Sequence, residues 1–174
     1  YDRISVMRHR NRRRDKFQAD LRTYLDAATD EETARQIQRS IVDTSAYADY
    51  ELLHAYHGSD PETRLRIVEL VARRCVRDRV LTSVIPLRQN GVPAVAVVAD
   101  GITTLVALCP YPEDAGVECV RDLLAELPGE SGSAAGVGPE VLVLVSGEED
   151  PLGVFSLFLE NELPVRWLSV GVFR

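Results

Sequence analysis

The sequence is poor in the residues that most often carry chemistry. Its 174 residues include three cysteines, three histidines, one tryptophan and one lysine. The cysteines (Cys75, Cys109 and Cys119) show no C-x-x-C spacing, which excludes a recognisable zinc site or disulfide framework and predicts buried, reduced thiols. No G-x-S-x-G elbow is present, and no local motif pairs a histidine with a cysteine. The sequence therefore predicts no catalytic residue, no cofactor and no metal, and it argues against an enzyme.

Long apolar runs are also missing. No stretch approaches the roughly 18 residues that a membrane span needs, and no signal peptide is recognisable, so a cytoplasmic protein without a membrane partner is expected. Apolar residues make up 45% and charged residues 27% of the chain, which is ordinary for a globular protein with a core.

Charge is unevenly distributed along the chain. The net charge is −7, yet residues 1–16 alone carry +5, which leaves −12 for the remainder. The basic residues of this N-terminal arm are Arg3, Arg8, Arg10, Arg12, Arg13, Arg14 and Lys16. Such a local positive field could meet nucleic-acid phosphates or an acidic protein surface.

The first 58 residues predict a helical segment. Residues 1–7 alternate weakly, as a short edge strand or the lead-in to a helix. From Phe17 the apolar spacing is helical, and Thr29 and Ser59 each have a glutamate three residues on, which predicts capping boxes. The helix that begins at Ser59 is expected to reach about Arg79, with Cys75 on its apolar face and Arg64, Arg73, Arg74 and Arg77 largely off it.

Residues 80–109 predict a three-stranded antiparallel meander. Three β-branched apolar runs are separated by Asn90-Gly91 and Asp100-Gly101, the dipeptides best suited to type I′ turns. A helix from about Asp114, a loop over 129–138, a buried strand from Glu140, a short helix and a last strand follow. The prediction is an α+β fold with a mixed sheet, in which a helical segment (1–58) precedes an αβββαβαβ core domain (59–174).

This order resembles a known family. The hairpin around Asp100-Gly101, the amphipathic helix and the apolar strand after it are similar to the αβββαβ core of the restriction-endonuclease-like (PD-(D/E)xK) nucleases, over about residues 60–174. The hairpin strands of that family carry carboxylates that bind Mg²⁺, so the resemblance implies carboxylates at the matching positions here. Here the second strand begins Gly91-Val92-Pro93-Ala94, and the third ends Leu105–Cys109, without acid or lysine. The resemblance therefore implies a degenerate domain that lacks the catalytic motif.

Two histidines form the other candidate cluster. Tyr50, His54 and His57 share one helix face, and two imidazoles at i, i+3 could ligate a metal. No H-E-x-x-H arrangement or third ligand accompanies them, so packing histidines are the favoured interpretation.

The function expected from the sequence is a non-catalytic interaction or assembly module that makes protein–protein contacts, including contacts with its own copies as an oligomer. The alternative is a nucleic-acid-binding protein built on an inactivated nuclease-like domain. In both cases the contact residues are the same basic set: Arg8, Arg10, Arg12, Arg13, Arg14 and Lys16.

Overall fold

Helices and strands follow one another in the order that the sequence predicts. The computed structural model describes residues 3–44, 47–89, 92–109, 114–127, 138–146 and 151–173. The elements are α1 (Arg3–Leu25), α2 (Glu31–Asp43), α3 (Tyr47–Tyr56), α4 (Pro61–Cys75), β1 (Leu81–Gln89), β2 (Val92–Ala99), β3 (Ile102–Cys109), α5 (Asp114–Glu126), β4 (Glu140–Ser146), α6 (Pro151–Glu160) and β5 (Trp167–Phe173). The predicted α+β class and the αβββαβαβ order are confirmed.

The five strands form one mixed sheet in sequence order. β1, β2 and β3 pair antiparallel, whereas β4 lies parallel to both β3 and β5. The turn between β2 and β3 has positive φ at Asp100 (50°) and Gly101 (73°), as a type I′ turn requires. The predicted turn at Asn90-Gly91 lies outside the described residues, as does the predicted loop over 129–138 except for Gly138.

The two prolines of the meander occupy positions that tolerate a missing amide donor. Pro86 lies in β1, an edge strand, and Pro93 lies at the start of β2, before the first residue paired with β3 (Ala94). Both agree with the edge or end positions that the sequence predicts.

Helices cover both faces of the sheet. On one face, Val95, Val97 and Val106 pack in a cluster with α1 to α4. On the other, Leu105 and Val143 pack with residues of α5 and α6. β4 contributes to both clusters because successive side chains of a strand point to opposite faces. The helices of residues 1–58 thus share their core with α4 and the sheet.

The two predicted capping boxes are shifted by one residue. Asp30 rather than Thr29 caps α2, and Asp60 rather than Ser59 caps α4; each carboxylate accepts the amide hydrogen of the residue three positions on. A carboxylate at this position is as good a cap as a hydroxyl, and Pro61 then occupies the first helical position.

Three further predictions need correction or completion. Of the two alternatives for residues 1–7, the helical one is correct for residues 3–7, which belong to α1. α4 ends at Cys75, four residues before the predicted end, and Cys75 is exposed, although Cys119 is buried as expected. Arg74 is fully buried, contrary to its predicted position off the apolar face. None of the helices in the described part of the chain has the length and apolarity that a bilayer span requires.

Candidate functional site

The first half of α1 extends beyond the core. Every residue from 3 to 16 is exposed, and Phe17 is the first buried side chain of the helix, followed by Leu21 and Tyr24. At 1.5 Å per residue, the exposed part is roughly 20 Å long. We call residues 3–16 the basic half-helix.

The six basic side chains predicted from the sequence all lie on this half-helix and are exposed. Arg8, Arg12 and Lys16 are spaced i, i+4 and i+8, so they follow one face of the helix. Arg10 and Arg14 lie on the face that continues into Phe17 and Leu21. The half-helix therefore presents positive charge in several directions.

One of the six basic residues is bound to the rest of the chain. Arg14 forms an ion pair with Glu51 of α3 at 2.8 Å, and Gln18 donates a second hydrogen bond to the same carboxylate at 3.1 Å. The Glu51 side chain is only 7% exposed, so this pair anchors the base of the half-helix. Among the described residues, Arg8, Arg10, Arg12, Arg13 and Lys16 have no ion-pair partner.

Apolar side chains are exposed beside the arginines. Ile4 is 59% and Met7 66% exposed, and Val6 is also exposed. Ile4 and Met7 are spaced i, i+3, which places them on one helix face. The pattern of charge does not reveal this apolar spot, although the spacing of Ile4 and Met7 in the sequence does.

A shallow cavity adjoins the base of the half-helix. It has a volume of about 220 Å³, lies between α1 and α2, and is lined by Arg13 and Lys16 together with Asp20 and Ser40. Two of the predicted contact residues thus meet at one site. Asp20 supplies an opposing charge there, which makes the cavity itself a poor site for an anion.

The histidine pair does not form a recognisable metal centre. His54 and His57 are both exposed, and the ring of His57 makes an edge contact with Tyr56 at a centroid distance of 6.2 Å. Within the described ranges, no group of three His, Cys, Asp or Glu side chains could hold a metal ion.

The strands that would bear the nuclease carboxylates are apolar in the folded chain. Ala94 of β2 is buried, as are Leu105 to Leu108 of β3. Asp100, at the far end of the hairpin, accepts a hydrogen bond from the Val80 amide at 3.0 Å and so fixes the turn. Glu140 of β4 accepts hydrogen bonds from Arg79 and Thr104, at 3.1 and 3.2 Å. These contacts give the Glu140 carboxylate a structural role.

The arginines of α4 bind the ends of the other N-terminal helices. Arg66 donates to the carbonyl of Tyr24 at 2.6 Å and lies 4.6 Å from the centre of its ring, at the end of α1. Arg64 donates to the carbonyls of Tyr56 and His57 at the end of α3. Carbonyls in the last turn of a helix have no partner within the helix, and a cation there is also favoured by the helix dipole.

Arg74 makes the largest set of these contacts. Its guanidinium donates to the carbonyls of Ile41 (2.6 Å), Val42 (3.2 Å) and Thr44 (2.7 Å), at the end of α2. It also forms a two-pronged pair with Asp49 of α3, at 2.7 and 3.3 Å. The last turn of α2 has no basic residue of its own, so Arg74 supplies that charge from another helix.

A cavity of about 600 Å³ lies between α3, α4 and β4. Its apolar lining includes Leu53, Val71 and Leu142, while Arg74 and Cys75 lie on its polar side. Cys75 retains exposed surface, yet desolvation of its thiol, aided by the charge of Asp49, raises its pKa to about 11. The thiol is therefore protonated near neutral pH and is a weak nucleophile.

The arrangement defines an α+β domain with a mixed five-stranded sheet, helices on both faces and a projecting basic helix. Its fold is similar to that of the central domain of yeast acetyl-CoA carboxylase, with a TM-score of 0.67 and 14% sequence identity. The match covers 94% of this chain and 31% of the carboxylase structure, so the chain spans less than a third of it. At this identity the similarity establishes the fold alone. By sequence, the chain matches no protein-family model and no curated protein.

Proposed function

We propose that this domain is a non-catalytic interaction module that makes protein–protein contacts, including contacts with its own copies, through the basic half-helix. The supporting observation is the exposure of residues 3–16, where six of the seven basic side chains have no ion-pair partner in the described part of the chain. Ile4 and Met7 add exposed apolar surface to the same half-helix. A rim of charge around apolar anchors is typical of protein interfaces.

The excess of negative charge elsewhere supports self-association. With −12 outside the first 16 residues, a second copy offers the half-helix an acidic surface. We expect light scattering to detect assemblies at micromolar concentration and about 50 mM salt, and these should dissociate near 500 mM salt because screening shortens the range of the attraction. A strict monomer at low salt would contradict self-association.

The test of the half-helix uses charge reversal. The variant Arg8→Glu, Arg10→Glu, Arg12→Glu should lose association, whereas Arg35→Glu is the matched control. Arg35 is an exposed arginine of α2 whose ion-pair partners lie one helical turn away on the same helix. Equal association of the two variants would contradict a role of the half-helix.

The second candidate is a nucleic-acid-binding protein built on an inactivated nuclease-like domain. The observation that favours it is the outward row Arg8, Arg12 and Lys16, since arginine and lysine spaced along one helix face match a phosphate backbone. In this alternative the domain is an inactive nuclease, which agrees with the buried apolar residues of β2 and β3 at the positions where the nucleases carry carboxylates.

Binding to labelled single- and double-stranded DNA, followed by fluorescence anisotropy, tests this candidate. Affinity should fall steeply with salt, and Arg8→Ala, Arg12→Ala, Lys16→Ala should reduce the salt slope by roughly one unit per lost phosphate contact. Arg14 is left unchanged because its ion pair with Glu51 anchors the helix. Salt-insensitive binding, or none, would contradict the candidate.

A further inference from the structure

Before Glu160, the outward face of α6 lacks the charged residues of an ordinary surface helix. Val154 and Phe158 are buried against the sheet, while Leu152 is 75% and Leu159 57% exposed. The exposed, uncharged Ser156 lies between them, so residues spaced i, i+4 and i+7 form one strip that is uncharged and mainly apolar. A surface helix normally carries charge on the face opposite its core, and before Glu160 this helix has none.

Acidic residues flank this strip in the sequence. Residues 122–165 contain nine acids and no lysine, arginine or histidine. Glu160 and Glu162 are exposed at the end of α6, and Glu148, Glu149 and Asp150 precede the helix in the sequence. We call Leu152, Ser156, Leu159, Glu160 and Glu162 the acidic-apolar patch.

The basic half-helix has the complementary composition. Its apolar spot, Ile4 and Met7, is bordered by Arg3, Arg8 and Arg10 in the same two turns. Apolar surface on one helix can therefore meet apolar surface on the other while opposite charges meet around it. Such complementarity both attracts the correct partner and excludes others.

The two surfaces of one chain lie on opposite sides of the molecule. α1 belongs to the cluster on the face of the sheet that α4 covers, whereas α6 belongs to the cluster on the other face. The sheet lies between them, so a contact between the half-helix and the acidic-apolar patch has to join two different molecules.

We infer that the acidic-apolar patch on α6 is the docking surface for the basic half-helix of a second copy of the chain. This inference rests on the proposed function and names the surface that receives the half-helix. The contact joins two different surfaces; a twofold axis would close it into a dimer with two such contacts, and otherwise copies would add head to tail.

Two charge-reversed chains test this contact. One carries Arg8→Glu and Arg10→Glu, and the other carries Glu160→Arg and Glu162→Arg. In a solution of either variant alone, the half-helix of one copy and the patch of the next carry charges of the same sign. Self-association at about 50 mM salt, measured by sedimentation velocity, should therefore weaken at least tenfold. An equimolar mixture restores opposite charges at each contact and should recover association of the wild-type strength.

The apolar part of the contact has its own matched pair. Leu152→Ser with Leu159→Ser should weaken association at least tenfold, because both side chains lose apolar surface that the contact buries. Val80→Ser is the control, since Val80 is 70% exposed but lies outside the patch. Trp167, which is 67% exposed and on the other face of the sheet from α6, should keep the same emission in all variants if the fold is unchanged.

The outcomes separate this inference from the proposed function. Association lost by the α1 variant but retained by both α6 variants, without recovery in the mixture, would overturn the patch and leave the half-helix as a contact surface. Association retained by the α1 variant would overturn both. Recovery in the mixture supports both.

Discussion

Two helices of this chain are rich in arginine, and they use it in opposite ways. In α1, the arginines of residues 3–16 point to solvent, and only Arg14 has an ion-pair partner in the described part of the chain. In α4, Arg64, Arg66 and Arg74 each bind the carbonyls that end another helix. Arginine thus forms an exposed basic surface in α1. In α4 it fixes the packing of α1, α2 and α3.

What decides between the two roles is the presence of unpaired acceptors within reach. The last carbonyls of α1, α2 and α3 end beside α4, and a guanidinium can donate to several of them at once. Among the described residues, no arginine of the half-helix before Arg14 has an ion-pair partner, and the carbonyls of Ile41 and Thr44, which lie near Arg13, already accept from Arg74. The arginines of the half-helix before Arg14 therefore remain hydrated and free to exchange water for an external partner.

The largest expected effect is the loss of Arg74. Arg74→Met should lower the free energy of unfolding by about 3–5 kcal/mol, because it leaves three carbonyls at the end of α2 and the half-exposed Asp49 without their donor. Urea unfolding followed by circular dichroism measures this change. Arg73→Met is the control: Arg73 pairs with Glu69 on the same helix, and its loss should cost at most about 0.5 kcal/mol.

A smaller effect is expected at Arg66. Arg66→Ala removes a charged hydrogen bond to the Tyr24 carbonyl and the contact with the Tyr24 ring, and should cost about 1–2 kcal/mol in urea unfolding. Arg66→Lys should recover only part of this loss, since an ammonium cannot stack on a ring as a planar guanidinium does. Full stability of the alanine variant would contradict the role assigned to the α4 arginines.

The fold could be predicted from the sequence because its signals are local. The turn dipeptide Asp100-Gly101, the alternation of the meander and the apolar run of β4 each depend on neighbouring residues. The one-residue error at the helix starts arose where two cap formers are adjacent, as Thr29-Asp30 and Ser59-Asp60 are. Local rules cannot choose between neighbours that are both good caps.

The basic residues of the candidate site could be identified from the sequence, but not which of them bind to the rest of the chain. The charge count identified Arg8 to Lys16, yet it could not single out Arg14, whose partner Glu51 is 37 residues away in the sequence. The helical spacing of the apolar residues placed Arg74 off the apolar face, because the acceptors that allow its burial belong to α2 and α3. Long-range pairing of this kind leaves no periodic signal in a single sequence.

A still smaller effect concerns the cap of α4. The pKa of Asp60 is lowered by hydrogen bonds from the amide and then the hydroxyl of Thr63. The unfolded chain binds this proton more tightly, so the contribution of Asp60 to stability is present above about pH 4 and is lost as the pH falls further. Asp60→Asn should cap the helix without titrating, and its stability should fall less than that of the wild type between pH 5 and 2. Parallel acid profiles would contradict this role.

The smallest effect on stability is expected in the half-helix, and it tests the comparison most directly. Arg8→Glu, Arg10→Glu, Arg12→Glu should change the free energy of unfolding by less than about 0.5 kcal/mol, because these exposed side chains have no ion-pair partner among the described residues. Arg14→Glu is the informative control, since it would place a second carboxylate against the buried Glu51 and should cost more than all three together. A large loss from the triple change would mean that the half-helix supports the fold as the α4 arginines do. Stability that is retained while association is lost would separate the two uses of arginine in this chain.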